Sequence, residues 1–427
     1  MEAIFDVAAG IDVHRDILVV SVRRIERGRE HVETRTYSTF HDALVQMVAW
    51  FDEQDVPVVG LESTGVYWKP VVLALRERSP SRLVWLVNPL DVKQVPGRKT
   101  DVKDSEWLSK LVMHGLVAPS YLPPTEQAEL RELTRFRTKV VGNLTRCANR
   151  IVKQLESSGI KLASVCSDPL GKSARAMLEA LLEGNKTVDE IADLARGKLR
   201  AKIPELQRAL AGTFTKATRF ILRQLLADLS HLERDIKALD EQIAQRLTPY
   251  QREVDLLLSM QGLDRVAIAA ILAEIGPDMS VFEKADRLAA WGGVCPGSNE
   301  SAGKSKRAPT RKGDKYLRTI LVQAAQAGKN ARNSFWREVY YRLVPRLGKP
   351  KTIMAIARKM LVAAFYMLRD GVPYRKPSMQ PPPPAKAQRM VQQLTQRLAD
   401  LGFHVQLSPI ASPVPSAESE TTLAPAT

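Results

Sequence analysis

Four carboxylates stand where a cation site would need them. Asp12 follows an apolar run in GIDVHRD, and Glu62 follows another in VPVVGLES, so each emerges at the end of a predicted strand. Asp101 and Asp104, in KTDVKDSEWL, are three residues apart and share a face if that segment is helical. Carboxylates converging on one point repel one another unless a cation lies among them. Hard oxygen donors select Mg²⁺ or Mn²⁺. A pair of such ions, about 4 Å apart, activates a nucleophile and stabilises the leaving oxygen in phosphoryl transfer. Taken singly, each acid reads more simply as a turn, helix-cap or solvated residue. What joins them is placement at two strand ends and one helix start within a single α/β unit. Arg98 and Lys99, just before Asp101, suit a phosphate approaching the acids.

A second candidate lies far downstream, in CPGSNESAGKSKRAPTRKGDKYLR. From Ser301 to Arg318, seven basic residues (Lys304, Lys306, Arg307, Arg311, Lys312, Lys315 and Arg318) face one acid, Asp314. A Gly-rich basic loop running into an apolar helix is a phosphate grip. Ser301 stands at its entry, with Gly303 close by to permit near backbone approach. A serine needs a base or a metal to become a nucleophile. None of the six histidines lies near this segment, so a Ser-His-Asp triad is not expected. The plainer alternative is a solvated basic loop with Ser301 as a turn residue.

The elements that must carry these groups follow from the hydrophobic pattern. Residues 1–125 alternate: three strand-like runs, a helix over FHDALVQMVAWFDEQ, a buried strand at VPVVGLES, a helix around Trp68–Arg78 and a strand at Arg82–Val87. That order predicts a mixed sheet flanked by helices, as in the ribonuclease-H-like fold. After Tyr121-Leu-Pro-Pro, residues 126–250 hold two long helices around a small helical insertion at 159–215. In the second, Leu222, Leu225, Leu229, Leu232, Ile236, Leu239 and Ile243 follow a 4-and-3 spacing that only Arg246 breaks, a coiled-coil seam. The first is poorer, with Arg137 and Gln154 in its seam. An antiparallel hairpin within one chain and a helix swapped between subunits fit equally well. Residues 251–376 read as a further helical domain, in which Gly262 separates two short apolar helices. That pattern is like the helix-hairpin-helix, whose turn amides bind phosphate. From 377 to 427 the chain is Pro-rich, with a short helix at Arg389–Leu401, and is expected to be disordered. The fold class is thus α/β plus all-α.

Bulk properties agree. The net charge of +16 favours a polyanionic partner. Three scattered cysteines, Cys147, Cys166 and Cys295, form no zinc spacing or disulfide framework. An acidic N-terminus without a long apolar run, and no membrane-length apolar stretch, read as a cytoplasmic protein.

As a set, GIDVHRD, LESTG, KTDVKDSEWL and CPGSNESAGKSKRAPTRKGDKYLR resemble the insertion-sequence-110 transposases, in the right order over about residues 5–370. The resemblance implies a RuvC-like domain whose acidic tetrad is Asp12, Glu62, Asp101 and Asp104. It also implies a second domain whose essential serine is Ser301. The implied activity is prokaryotic DNA recombination, nucleoid-associated when acting. Two domains, from different subunits of a dimer or tetramer, form a composite Mg²⁺ site, and the serine holds a covalent phosphoserine link while donor and target strands exchange. Well-studied relatives are guided by a structured RNA from the element's own non-coding end, which leaves the protein to read backbone and shape. One departure is Ser301-Ala302-Gly303, where many relatives carry two glycines after the serine. Two other readings compete. A metal-dependent endonuclease or junction resolvase would use the acids with water as nucleophile, and a non-catalytic scaffold would only hold nucleic acid.

Overall fold

The apolar runs of the first two strands bury their sides under helices, while the third, largely exposed, pairs along the edge of the second. In the computed structural model, β1 (Val7–Val13), β2 (Ile17–Glu26) and β3 (Arg29–Ser38) form an antiparallel meander. Helix α1 (His41–Glu53) leads to β4 (Val58–Glu62), which joins β1 in parallel. Helix α2 (Trp68–Arg78) then leads to β5 (Leu83–Val87), parallel to β4. The sheet order is β3-β2-β1-β4-β5, the mixed sheet that the element order predicts. Helix α3 (Asp104–Met113) follows. The structure describes residues 3–406 except 64, 90–91, 93–94, 96–103, 298–299, 302–303, 306–309, 311–312 and 377–383. For residues 300, 301, 304, 305, 384–387 and 390 it describes the backbone alone.

Strand alternation sorts the two faces of the sheet. Ala9, Ile11, Val59 and Leu61 are buried with Met47, Val48 and Phe51 of α1 and Leu75 of α2. Ala8 and Val58, one residue out of step, pack with Leu108, Leu111 and Val112 of α3. Gly10 and Gly60 belong to this second set, and α3 crosses directly over them. A Cβ at Gly10 would lie 2.3 Å from the Ser105 carbonyl oxygen, and one at Gly60 would lie 2.4 Å from Val112 Cγ2. Beside them β2 offers a polar seat. The Ser21 and Ser105 hydroxyls are 2.8 Å apart, and buried Arg23 donates to the Glu106 carbonyl at 3.1 Å.

Helix α4 (Thr125–Ser157) leaves this domain after Pro124. The insertion contains α5 (Leu162–Val165), α6 (Lys172–Glu183), α7 (Val188–Ala192) and α8 (Ile203–Leu210), packed around Met177, Leu178, Leu206 and Leu210. Helix α9 (Lys216–Leu247) then returns along α4: Arg246 pairs with Glu129, Arg137 with Asp240, and the Cys147 thiol meets the Leu225 carbonyl at 3.3 Å. Partner numbers fall along one helix as they rise along the other, so the pair is antiparallel. Leu222, Leu229 and Ile243 are buried in it. Arg137 and Arg246, which interrupt the apolar seams, are the residues that reach across as ion pairs.

Among the described residues, six α-helices follow before Tyr374: α10 (Gln251–Leu258), α11 (Arg265–Ile275), α12 (Ala285–Trp291), α13 (Lys315–Asn330), α14 (Phe335–Leu347) and α15 (Lys349–Asp370). They share a core built on Ile268, Leu272, Leu288, Leu321, Ile356 and Phe365, to which α4 adds Leu130 and α9 adds Ile243. By its contacts the chain divides into Met1–Tyr374 and Arg375–Thr427. The second unit contains α16 (Pro384–Asp400), where a helix over Arg389–Leu401 is predicted. Among the described residues no helix is long and apolar enough to cross a membrane.

Candidate active site

The sheet register sets two of the acids side by side. Ile11 of β1 pairs with Leu61 of β4, so Asp12 and Glu62 are the next residues at the same end of adjacent parallel strands. Alternation puts both on the face of Gly10 and Gly60, the face that α3 covers. Helix α3 runs against β1: its start lies over Gly10, and its end, at the Met113 carbonyl, accepts from the Ile4 amide at 2.9 Å. Asp104, which begins α3, therefore comes to the same sheet end and the same face. Three elements thus deliver three of the four expected acids to one corner. Asp101, Arg98 and Lys99 lie outside the described residues. The Asp12 carboxylate is 27% exposed and takes a 3.0 Å contact from His14 Nε2, a neighbour that sequence reasoning did not single out.

Among the described residues no group of three or more His, Cys, Asp or Glu side chains is gathered tightly enough to hold a metal ion. The donor chemistry of the corner still fits a hard divalent cation, since Asp12, Glu62 and Asp104 offer only oxygen. The polar seat beneath α3 was also missed. Its signal was there to read: Ser21 and Arg23 are polar residues at buried positions of β2. Arg23 also holds Glu30 at 2.5 Å. Burial of the Glu30 carboxyl acts to raise its pKa, but the charges of Arg23 and Lys110 outweigh that and leave it below the usual range.

The serine stands on a different kind of support. Glu300–Ser301 (β6) pairs with Lys304–Ser305 (β7) in a two-stranded hairpin, with Ser301 opposite Lys304 and residues 302–303 between them. Pro296 and Thr310 bridge further down. At the base, a Cβ on Gly313 would lie 2.3 Å from the Gly293 amide nitrogen, and the Asp314 amide donates to the Trp291 carbonyl at 3.1 Å. The segment is thus a closed loop whose feet touch, with Ser301 near its tip. Asp314 then caps α13, accepting from the Tyr316 and Leu317 amides at 2.9 and 2.8 Å.

The expected nucleic-acid contacts divide. Lys304 has its backbone on the hairpin, Lys315 and Arg318 lie on the first turn of α13, and Lys306, Arg307, Arg311 and Lys312 lie outside the described residues. Gly262 has a packing role. Its φ is +99°, and a Cβ there would lie 2.7 Å from the Ala324 carbonyl oxygen and 2.8 Å from Gly328 Cα, so its turn is seated on the backbone of α13. Asp264 occupies the start of α11, accepting from the Ala267 amide at 2.7 Å.

Sequence reasoning also missed a buried ionic cluster at the foot of the serine loop. Glu274, 1% exposed, takes two 2.7 Å bonds from Arg135, one from Nε and one from Nη2. The same Nη2 reaches Asp314 at 2.8 Å. Arg131 adds a 2.6 Å bond to the Glu274 carbonyl. A lone Glu in the apolar helix RVAIAAILAEI was the available signal.

Comparison with known families gives both halves of the chain one class. Residues 9–159 match a family model for transposases of the DEDD type. Such domains use divalent metal ions in general. Residues 254–341 match the model described as "Transposase IS116/IS110/IS902 family", and the two matches together span more than half of the chain. The chain belongs to this IS110-type transposase family. Among its relatives is the "Insertion element IS900 uncharacterized 42 kDa protein" of Mycobacterium paratuberculosis, 26% identical over 65% of this chain and 73% of the relative. The "Probable family 20 transposase" of Pseudomonas aeruginosa is 26% identical over 74% and 82% respectively. The "Pilin gene-inverting protein" of Moraxella bovis is 28% identical over 35% and 48%.

Proposed function

We propose that the chain is the transposase of an insertion sequence that cuts and rejoins DNA, with Ser301 as nucleophile. The observation that carries this reading is the pairing of a carboxylate corner (Asp12, Glu62, Asp104) with a serine near the tip of a basic hairpin in one chain. Asp12, Glu62, Asp101 and Asp104, on a ribonuclease-H-like sheet, would hold Mg²⁺ or Mn²⁺. When bound, the metal supplies Lewis-acid polarisation of the scissile phosphate and lowers the cost of deprotonating a hydroxyl. Ser301 Oγ forms a bond to phosphorus, the P–O bond to the leaving sugar oxygen breaks, and the hydroxyl proton passes to that oxygen by way of the acidic site. Attack by the incoming strand's hydroxyl reverses these steps and frees Ser301. Bond energy is conserved, so rejoining needs no external energy source. The relative named for inverting a pilin gene supports rejoining over simple cleavage, because inversion leaves no broken strand. Lys304, Lys306, Arg307, Arg311, Lys312, Lys315 and Arg318 grip phosphates, with Arg98 and Lys99 beside the acids and the Gly262 turn as a further backbone contact. An element-encoded RNA supplies sequence specificity, and copies of the chain assemble so that acids and serine from different subunits meet.

The test is to trap protein-linked DNA during strand exchange. Wild type gives a covalent adduct, and Ser301→Ala gives neither adduct nor joined product. Cleavage that persists in Ser301→Ala would instead establish water as nucleophile and the nuclease reading.

A further inference from the structure

Both feet of the serine loop are held by the short segment that leaves the acidic domain. At the entry, Trp291 packs edge-on against Tyr121 with ring centroids 6.2 Å apart, and Phe282 completes the group at 5.5 Å from Tyr121. At the exit, Arg135 on α4 grips Asp314 and Glu274 together. Burial pushes the Glu274 carboxyl up from its ordinary range, against the opposing hydrogen bond from Arg135 and the charge of Arg131. Burial likewise pushes the Arg131 guanidinium down.

Packing alone does not require these charges. Apolar side chains of similar volume would join α4 to α11 at less desolvation cost. What a planar guanidinium adds is direction, because it engages two carboxylates on two elements in one fixed plane. One of those carboxylates, Asp314, is both the end of the loop and the cap of α13. Its placement sets where the hairpin leaves the core.

We propose that Arg135 is a positioning residue for Ser301, fixing the exit foot of the serine loop to the helix that leads out of the acidic domain. The catalytic consequence rests on Ser301 being the nucleophile; the fixing of the loop does not. Two substitutions isolate it in the full chain. Arg135→Gln removes the fork, and Asp314→Asn removes the charge while keeping a good helix cap. The probe is a supercoiled plasmid carrying the gene with its flanking non-coding DNA, with the flank's transcript added. Hydrogen exchange across residues 294–313 should rise about tenfold in both variants, with the helical core unchanged. Covalent linkage at saturating plasmid should slow about a hundredfold, the cost of a displacement near 1 Å, while plasmid binding stays within about twofold. The double variant should be no slower than the slower single one, because both remove one interaction. Arg135→Lys, which keeps charge without the fork, should fall between.

Linkage by Arg135→Gln within about threefold of wild type, or single effects that multiply in the double variant, would overturn the proposal. If Arg135→Gln does not fold, Asp314→Asn decides by the same measurements. If wild type forms no linkage, the nucleophile reading fails, and exchange alone decides the positioning role: unchanged exchange over 294–313 in both variants refutes it.

Discussion

The acidic corner and the serine hairpin are supported in opposite ways. Asp12 and Glu62 are placed by strand register in the middle of a sheet, and Asp104 by a helix lying so close on Gly10 and Gly60 that a Cβ on either would come within 2.3–2.4 Å of it. Ser301 is placed by a two-residue ladder on a loop whose described feet touch the core. Groups that hold a cation gain from rigidity, because ligand geometry is then set before binding. A nucleophile that must form a bond, hold it and release it gains from a mount that can shift while its base stays fixed.

The sharpest way to break this comparison is to remove charge without touching shape. Asp12→Asn and Glu62→Gln should each lower strand exchange at least about a thousandfold, with the melting temperature unchanged or raised as like charges separate. Retained activity in both would exclude the corner from the chemistry. Next comes Gly10→Ala. Its Cβ would meet backbone atoms of α3, which cannot rotate away, so unfolding should be easier by about 1–3 kcal/mol in denaturant titration. Ser301→Ala, on the two-residue ladder, should leave that midpoint where it was. Equal midpoints for the two variants would contradict the contrast in support. The smallest effect belongs to Glu30, whose lowered pKa favours the folded state above the ordinary carboxylate range. The contribution is lost as pH falls through the folded value. Glu30→Gln should therefore be slightly less stable than wild type at neutral pH and equal to it in acid. A stability difference that does not shrink below about pH 4 would mean that Arg23 gains nothing from the charge.

Much of the sheet was legible because alternation and run length are local signals. The helix over Trp68–Arg78 and the acids at two strand ends could be read directly. The glycines that admit α3 could not, since periodicity reports that a strand is buried but not how closely a helix lies on it. Charged residues misled in a consistent way. Arg137 and Arg246 look like faults in a seam until their partners Asp240 and Glu129 are known, and those partners are distant in sequence. Glu274 likewise has meaning only beside Arg131 and Arg135, which come from another helix. In each case the missing information was a long-range pairing, which one strand of sequence does not contain.

The folding back of α9 on α4 has a further consequence. Leu222, Leu229 and Ile243 of the apolar stripe on α9 are buried by this chain, whereas Ile236 and Leu239 stay partly open. The rings of Phe136 and Phe220, on the same two helices, are left exposed.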